Sequence, residues 1–253
     1  MRSNLNERQN EIWNEIQREG EVKISELKDR YAVTDMTIRR DLEKLEALGL
    51  VRRTFGGAIP VTLDVSLKDR DAMLTDEKMR IGKSAAGLVM PNQAIFIDGG
   101  TTTLQVAKHI SPDSSVTVIT NALNVAAVLM EKGIHTIVAG GMLLEKTGSM
   151  VGPIAIEALS TMAFDQVFLG TTGMTAEHGF SNSNSFEAEL KRHAMRRAGQ
   201  VNVVADASKF GERFLHSFAG FKDVHRIVTD REPPEPIRSA AENEGLQIVV
   251  APE

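Results

Sequence analysis

The chain has 253 residues, 42% of them hydrophobic and 25% charged, with a formal net charge of −5. That length accommodates one large domain or a large and a small one, and the apolar content is enough for a real core. No apolar run reaches the length of a membrane span, Met1-Arg2-Ser3-Asn4 opens a polar helix pattern rather than a signal sequence, and the lack of cysteine excludes disulfide, thiolate and Cys-based metal chemistry, so a cytoplasmic globular protein is expected.

Ile12 and Ile16 mark a first amphipathic helix, and Ile24 and Leu27 a short second one that ends near Tyr31-Ala32-Val33. A third follows at once. Ile38, Leu42 and Leu45 recur at helical intervals, with Thr34 placed to cap the start and Gly49, after Leu48, to close the end. Its outward residues Asp35, Met36, Thr37, Arg39 and Arg40 suit contact with base edges and phosphates in a major groove. Leu50-Val51-Arg52-Arg53-Thr54-Phe55-Gly56-Gly57 is β-prone, doubly basic and closed by two glycines, as a wing would be. Two arginines on an amphipathic helix equally suit an ordinary solvated face. Three short helices followed by a basic wing favour DNA, and predict a winged helix-turn-helix over residues 1–57. The expected contacts to double-stranded operator DNA are Thr34, Met36, Thr37, Arg39, Arg40, Arg52 and Arg53.

Residues 1–60 carry 11 Lys/Arg and 11 Asp/Glu, so this reader is neutral and the negative charge lies in the rest of the chain. Glu7, Glu11, Glu15 and Glu19 are four apart on one face of the first helix, away from the later arginines. A neutral module binds a polyanion weakly alone, which predicts a homo-oligomer, dimer or tetramer, gripping repeated half-sites.

Periodicity is lost from residue 58 to 75, which reads as a linker containing Pro60. From residue 76 to 253, β-branched runs alternate with helical stretches: 94–97, 116–120, 136–138, 167–169, 201–205, 227–229 and 247–250 are the expected strands. Such alternation predicts an α/β fold with a largely parallel sheet, where ligands bind beyond the carboxyl ends of strands. Asp98-Gly99-Gly100-Thr101-Thr102-Thr103 follows one strand and opens a helix, so its backbone N–H groups and hydroxyls suit an anion such as phosphate, although a bland tight turn fits the same residues. It has neither the Gly-Lys-Ser/Thr ending of a P-loop nor the dinucleotide fingerprint. Asn121, Gly141, Thr171, Thr172 and the run Asp206-Ala207-Ser208-Lys209 lie at other strand ends on the same expected rim.

Thr37-Ile38-Arg39-Arg40-Asp41-Leu42, Leu48-Gly49-Leu50 and Arg52 to Ala58 resemble the N-terminal signature of the DeoR family of bacterial transcriptional regulators. Ile97 to Thr102, Phe168 to Gly173, Glu187 to Arg192 and Ala205 to Gly211 resemble successive motifs of that family's effector domain. The resemblance implies a ribose-5-phosphate-isomerase-like α/β domain that binds a phosphorylated sugar or related metabolite and oligomerises. It implies a repressor of a carbohydrate catabolism operon, relieved by ligand, with no cofactor. Asp98 to Thr103 would then hold phosphate, Glu187 and Asp206 would accept from sugar hydroxyls, and Lys209 would add charge near the phosphate or steady Asp206. Glu187 equally suits capping of its helix, as does Ser185, and Lys209 an ordinary loop cation.

An isomerase-like enzyme fused to a DNA-binding module is the alternative. Its chemistry needs a carboxylate base, which isomerases of this fold carry in the loop matching Gly170-Thr171-Thr172-Gly173; threonine cannot abstract a proton at neutral pH. Glu187 remains a possible base. The six histidines show no paired metal-ligand spacing and no Gly-x-Ser-x-Gly elbow is present, so no metal or nucleophile is expected. A purely structural protein would leave the glycine- and threonine-rich strand ends unexplained.

Overall fold

The computed structural model describes residues 5–19, 22–48, 50–53, 56–60 and 74–253. They divide into two compact units, one up to Pro60 and one from Leu74.

In the first unit, α1 (Glu7–Glu19), α2 (Ile24–Tyr31) and α3 (Asp35–Ala47) enclose one small core. Ile12, Ile16, Leu27, Ile38, Leu42, Leu45 and Val51 are all buried, each large apolar side chain contributing about 1.5–3 kcal/mol on leaving water. Three residues join α2 to α3, the first of them Ala32 in the left-handed region with φ 50°, so the helices turn sharply as in a helix-turn-helix. Strands β1 (Val22–Lys23), β2 (Val51–Arg53) and β3 (Gly57–Pro60) form an antiparallel sheet in the order β1-β3-β2. β1 is too short to register as a sequence pattern. It also explains Gly57: a Cβ there would fall 1.8 Å from the Val22 carbonyl oxygen, so no other residue lets the wing close on β1.

Residues 58–60, assigned above to the linker, are paired strand and belong to the wing; Thr75, the other end of that segment, begins a helix. Residues 61–73, the proposed cap at Gly49 and the wing tip Thr54-Phe55 lie outside the described residues. Helix α3 ends at Ala47 with Leu48 as its C-cap residue.

The second unit is built on seven parallel strands in the order β15-β14-β12-β9-β4-β5-β6. In chain order they are β4 (Ala94–Ile97), β5 (Thr117–Thr120), β6 (Thr136–Val138), β9 (Phe164–Gly170), β12 (Ala198–Val204), β14 (Arg226–Thr229) and β15 (Gln247–Val250). Helices α4 (Thr75–Ala86), α5 (Thr101–His109) and α6 (Leu123–Glu131) cover one face, burying Ile81, Val106 and Val125 against Ile95, Ile97 and Phe168. On the other face α7 (Pro153–Ser160), α8 (Ser185–Arg196) and α9 (Glu235–Asn243) bury Leu159, Leu190 and Ile237 with Phe96, Val167 and Leu169. Alternate residues of each inner strand thus enter opposite cores, which is why these strands read as continuous apolar runs.

Two antiparallel excursions interrupt the alternation. Hairpin β7 (Met142–Leu144) to β8 (Ser149–Val151) follows β6, and β10 (Gly173–Thr175), β11 (Gly179–Asn182) and β13 (His216–Ala219) form a three-stranded sheet.

Candidate DNA interface and sensor site

Helix α3 is fixed from both ends and from behind. Thr34 Oγ1 accepts from the Thr37 N–H at 3.3 Å, satisfying one orphan donor of the first turn. Asp41 is buried between α1 and α3 and accepts from Arg8 Nε at 2.7 Å and Gln9 Nε2 at 2.8 Å, so this acid in the middle of the motif sets the angle of α3. Met36, Arg39 and Arg40 are left exposed on the first turns, with Thr37 half-buried beside them. Among the described residues neither Arg39 nor Arg40 is held in an ion pair.

Two charged groups are engaged within the unit. Arg53, expected to be free for phosphate, is tied to α3: its guanidinium meets Glu43 at 2.6 Å and Glu46 at 3.9 Å, and its backbone N–H donates to Glu46 at 2.8 Å. Glu15, one of the four acids spaced along α1, is buried and paired with Arg30. Arg52 lies on β2, its side chain outside the described part.

In the second unit the chain moves outward from β4 through β5 to β6, then crosses to β9 and moves outward the other way. The crevice between the ends of β4 and β9 is therefore the topological switch point. Asp98 ends β4 there. Its Oδ2 accepts from the Gly170 N–H at 3.3 Å and lies 3.0 Å from Lys191 Nζ, both side chains being 3% exposed. Lys191 reaches in from α8, donating to Gly170 O at 2.5 Å and Asn182 Oδ1 at 3.1 Å, with the Phe218 ring beneath it. Asn182 Nδ2 passes the chain to Glu187 Oε2 at 3.1 Å. Burial pushes the Glu187 carboxyl above the usual carboxylate range; Lys191 opposes the shift and Asp98 adds to it.

Beyond Asp98 the backbone turns through Gly99 and Gly100 into α5, whose first N–H groups have no intrahelical acceptor. A Cβ on Gly99 would lie 2.1 Å from Ser149 Oγ, so the glycine is what lets β8 close over the turn. Thr101, Thr102 and Thr103 are buried, and Thr103 Oγ1 donates to Gly100 O at 3.1 Å, spending its proton within the turn. The Thr171 hydroxyl is likewise committed, to Gly173 O at 2.8 Å, while Thr172 stays half-buried. Asn121, fully buried after β5, donates to Met150 O at 3.1 Å and leaves Oδ1 without a partner. Gly141, at φ 115°, packs beside Val151 and Ala155.

The switch point thus gathers Asp98 to Thr103, Gly170 and Glu187, with Asn121 adjoining through β8. Asp206 and Lys209 follow the end of β12, whose last residue Val204 pairs with Gly170, and Asp206 Oδ2 is buried without a partner. Asp206 Oδ1 accepts from the Ser208 N–H at 3.0 Å and from the Ser208 hydroxyl, capping a short 3₁₀ turn, and no ion pair joins it to Lys209 among the described residues. Helix α8 is capped by Asn184, which accepts from the Phe186 and Glu187 N–H groups, rather than by Ser185 or Glu187. An open groove of about 440 Å³ lies away from the network, walled by Glu177, His178, Lys222 and Asn243. Among the described residues no three His, Asp or Glu side chains are placed to hold a metal ion.

Residues 8–62 match the DeoR-like helix-turn-helix domain, and residues 74–231 match the DeoR C-terminal sensor domain. The chain belongs to the DeoR family. It is 36% identical over 250 residues to an uncharacterized HTH-type transcriptional regulator of Bacillus subtilis, YulB, covering 97% of this chain and 96% of the relative. It is 31% identical over 245 residues to the glycerol-3-phosphate regulon repressor of Escherichia coli K12, covering 96% and 97%. Among solved structures, ribose 5-phosphate isomerase A of Methanocaldococcus jannaschii is similar over 54% of each chain, with a TM-score of 0.41 and 15% identity. As a DeoR-family regulator, the protein couples a DNA reader to a sensor, and its described residues contain no helix long and apolar enough to cross a membrane.

Lys191, Asn182 and Ser149 escaped the sequence reading. Lys191 lies inside the quoted Glu187 to Arg192 motif, and its apolar neighbours Ala188, Leu190 and Ala194 mark it as inward-facing. That was the available signal. Asn182 and Ser149 sit on short strands with no periodicity to place them.

Proposed function

We propose that this DeoR-family protein is a repressor of a carbohydrate catabolism operon whose hold on its operator is relieved by a phosphorylated sugar. The observation carrying the sensor reading is the Asp98–Lys191 pair. It neutralises Asp98, the carboxylate that leads into the glycine turn, so that side chain does not compete for the N–H groups from Gly99 to Thr103. Thr172, Glu187 and the unpartnered Asn121 Oδ1 supply groups for sugar hydroxyls. The Thr171-Thr172 loop lacks a carboxylate, so the site binds without turnover. On the DNA side, Arg39 and Arg40 with Met36 and Thr37 enter the major groove, and Arg52 and Arg53 meet phosphates. The protein works as a homo-oligomer in the cytoplasm, and the ligand shifts the spacing of its readers by a coupling of about 1–3 kcal/mol.

Fluorescence anisotropy with the operator, read with and without a panel of phosphorylated pentoses, hexoses and polyols, tests both halves. Arg40→Ala should weaken specific binding by about tenfold or more, the loss of one good base contact, while ligand-induced thermal shifts persist. Thr101→Ala should do the reverse. Normal operator affinity in Arg40→Ala at physiological salt removes the reader assignment, and multiple turnovers of any panel member remove the sensor-only reading.

A further inference from the structure

Among the described residues of the first unit two large apolar side chains are exposed: Leu48 at the end of α3, by 38%, and Met36 in its first turn, by 59%. Met36 takes no part in the core that Ile38, Leu42 and Leu45 build on the opposite side of the helix. A lone exposed methionine is ordinary on a protein surface, so its neighbours decide what this one can do. Two of the other outward residues are already engaged. Asp35 Oδ1 lies 3.4 Å from Lys28 Nζ, and the hydroxyl of half-buried Thr37 is 3.0 Å from that of Thr34. Farther along, Glu43 holds Arg53. Arg39 and Arg40 remain, in no ion pair among the described residues, and at three and four residues beyond Met36 they share its face of the helix. The groups that the first two turns leave free are thus one apolar side chain and two guanidinium groups.

We propose that Met36 determines operator sequence by reading the 5-methyl group of a thymine, within about two base pairs of a guanine that Arg39 or Arg40 reads. The neighbours three and four residues on from Met36 are cations, which suits a polyanion rather than an apolar partner surface. In a major groove the commonest specific contact is from arginine to guanine O6 and N7, and the apolar group that the base edges present is the thymine methyl. Met36 is the second residue of α3, and the first residues of a recognition helix are those that reach base edges. Along the helix axis Met36 and Arg40 are about 6 Å apart. That is less than two base-pair steps of about 3.4 Å. The unbranched thioether can bend onto a methyl group without disturbing the arginines, because no core contact fixes it. The inference rests on the reader assignment above and adds to it the kind of base that the first turn selects.

Full-length protein can select its own duplexes from a random library, and the selected sequence, labelled and titrated by fluorescence anisotropy at fixed salt, is the probe. The guanine is the position whose preference is lost in Arg40→Ala or Arg39→Ala. Each thymine is then replaced singly by uracil, which lacks the 5-methyl group and keeps every hydrogen-bonding atom of the base. One such replacement within about two base pairs of the guanine should weaken wild-type binding about fourfold, as expected for one methyl group withdrawn from water. Met36→Ala should bind the thymine and uracil probes equally, and Met36→Leu should keep the preference. A selected site without thymine in that span, uracil probes that all bind as well as the parent, or a discrimination that survives in Met36→Ala each overturn the proposal. Wild-type affinity and preference in both arginine variants would remove the reader assignment itself. Loss of binding in those variants with no uracil effect leaves the reader standing and removes only the methyl contact.

Discussion

A lysine ammonium sealed from water needs its counter-charge within reach, and Lys191 has it in Asp98, with Gly170 O and Asn182 Oδ1 taking its other protons. Removing one partner strands the other. Lys191→Met should therefore cost about 3–5 kcal/mol in urea denaturation, because Asp98 is left charged and buried, and Asp98→Asn in the same chain should recover part of that loss. Additive costs for the two substitutions would show that the pair is not coupled. Glu187 gives a prediction of opposite character. Burial raises its pKa in the fold, so its contribution to stability is fully present in acid, below the ordinary Glu range, and is lost as pH rises through the raised value. Glu187→Gln should hence melt at or below the wild-type temperature in acid and above it at neutral to mildly alkaline pH. A difference in Tm that stays constant from about pH 4 to 8 would show that burial does not govern this carboxyl.

Among the elements, α3 takes its stability from a cap and a stripe. Thr34→Ala should cost about 1 kcal/mol and Leu42→Ala about 2–5 kcal/mol, both read from the thermal transition of the N-terminal unit. That helix was legible because its apolar residues, its cap and its outward polar residues agree on one period. The seven parallel strands were legible for a related reason: each is a short apolar run bounded by turn residues, and only their ends shifted, as when β9 extended back to Phe164. The excursions were not. β8 is Ser-Met-Val and β11 Gly-Phe-Ser-Asn, buried throughout, so neither alternates, and both are three or four residues long. Since Ser149 and Asn182 ride on those strands, the wall of the crevice was invisible where its floor, Asp98 to Thr103, was plain. The wing was cut short because Ala58-Ile59-Pro60 has no pattern of its own and becomes a strand only by pairing with β1 and β2.

At the scale of the whole molecule, a reader with 11 basic and 11 acidic residues has little general attraction for a polyanion. On the proposed reading, affinity comes from joining readers. DNA carrying two half-sites should bind at least about a hundredfold tighter than DNA carrying one. Gel-shift titrations at fixed salt check this, and equal affinities for the two probes would place recognition in a single reader.

The clasp on Arg53 changes what contact with DNA means for the wing. Glu43 and Glu46 already hold its guanidinium, so on the proposed reading a phosphate that takes Arg53 displaces two internal rivals. On the proposed reading that displacement comes more readily to a duplex whose bases already engage α3, so the wing's grip on phosphate would follow base contact rather than precede it.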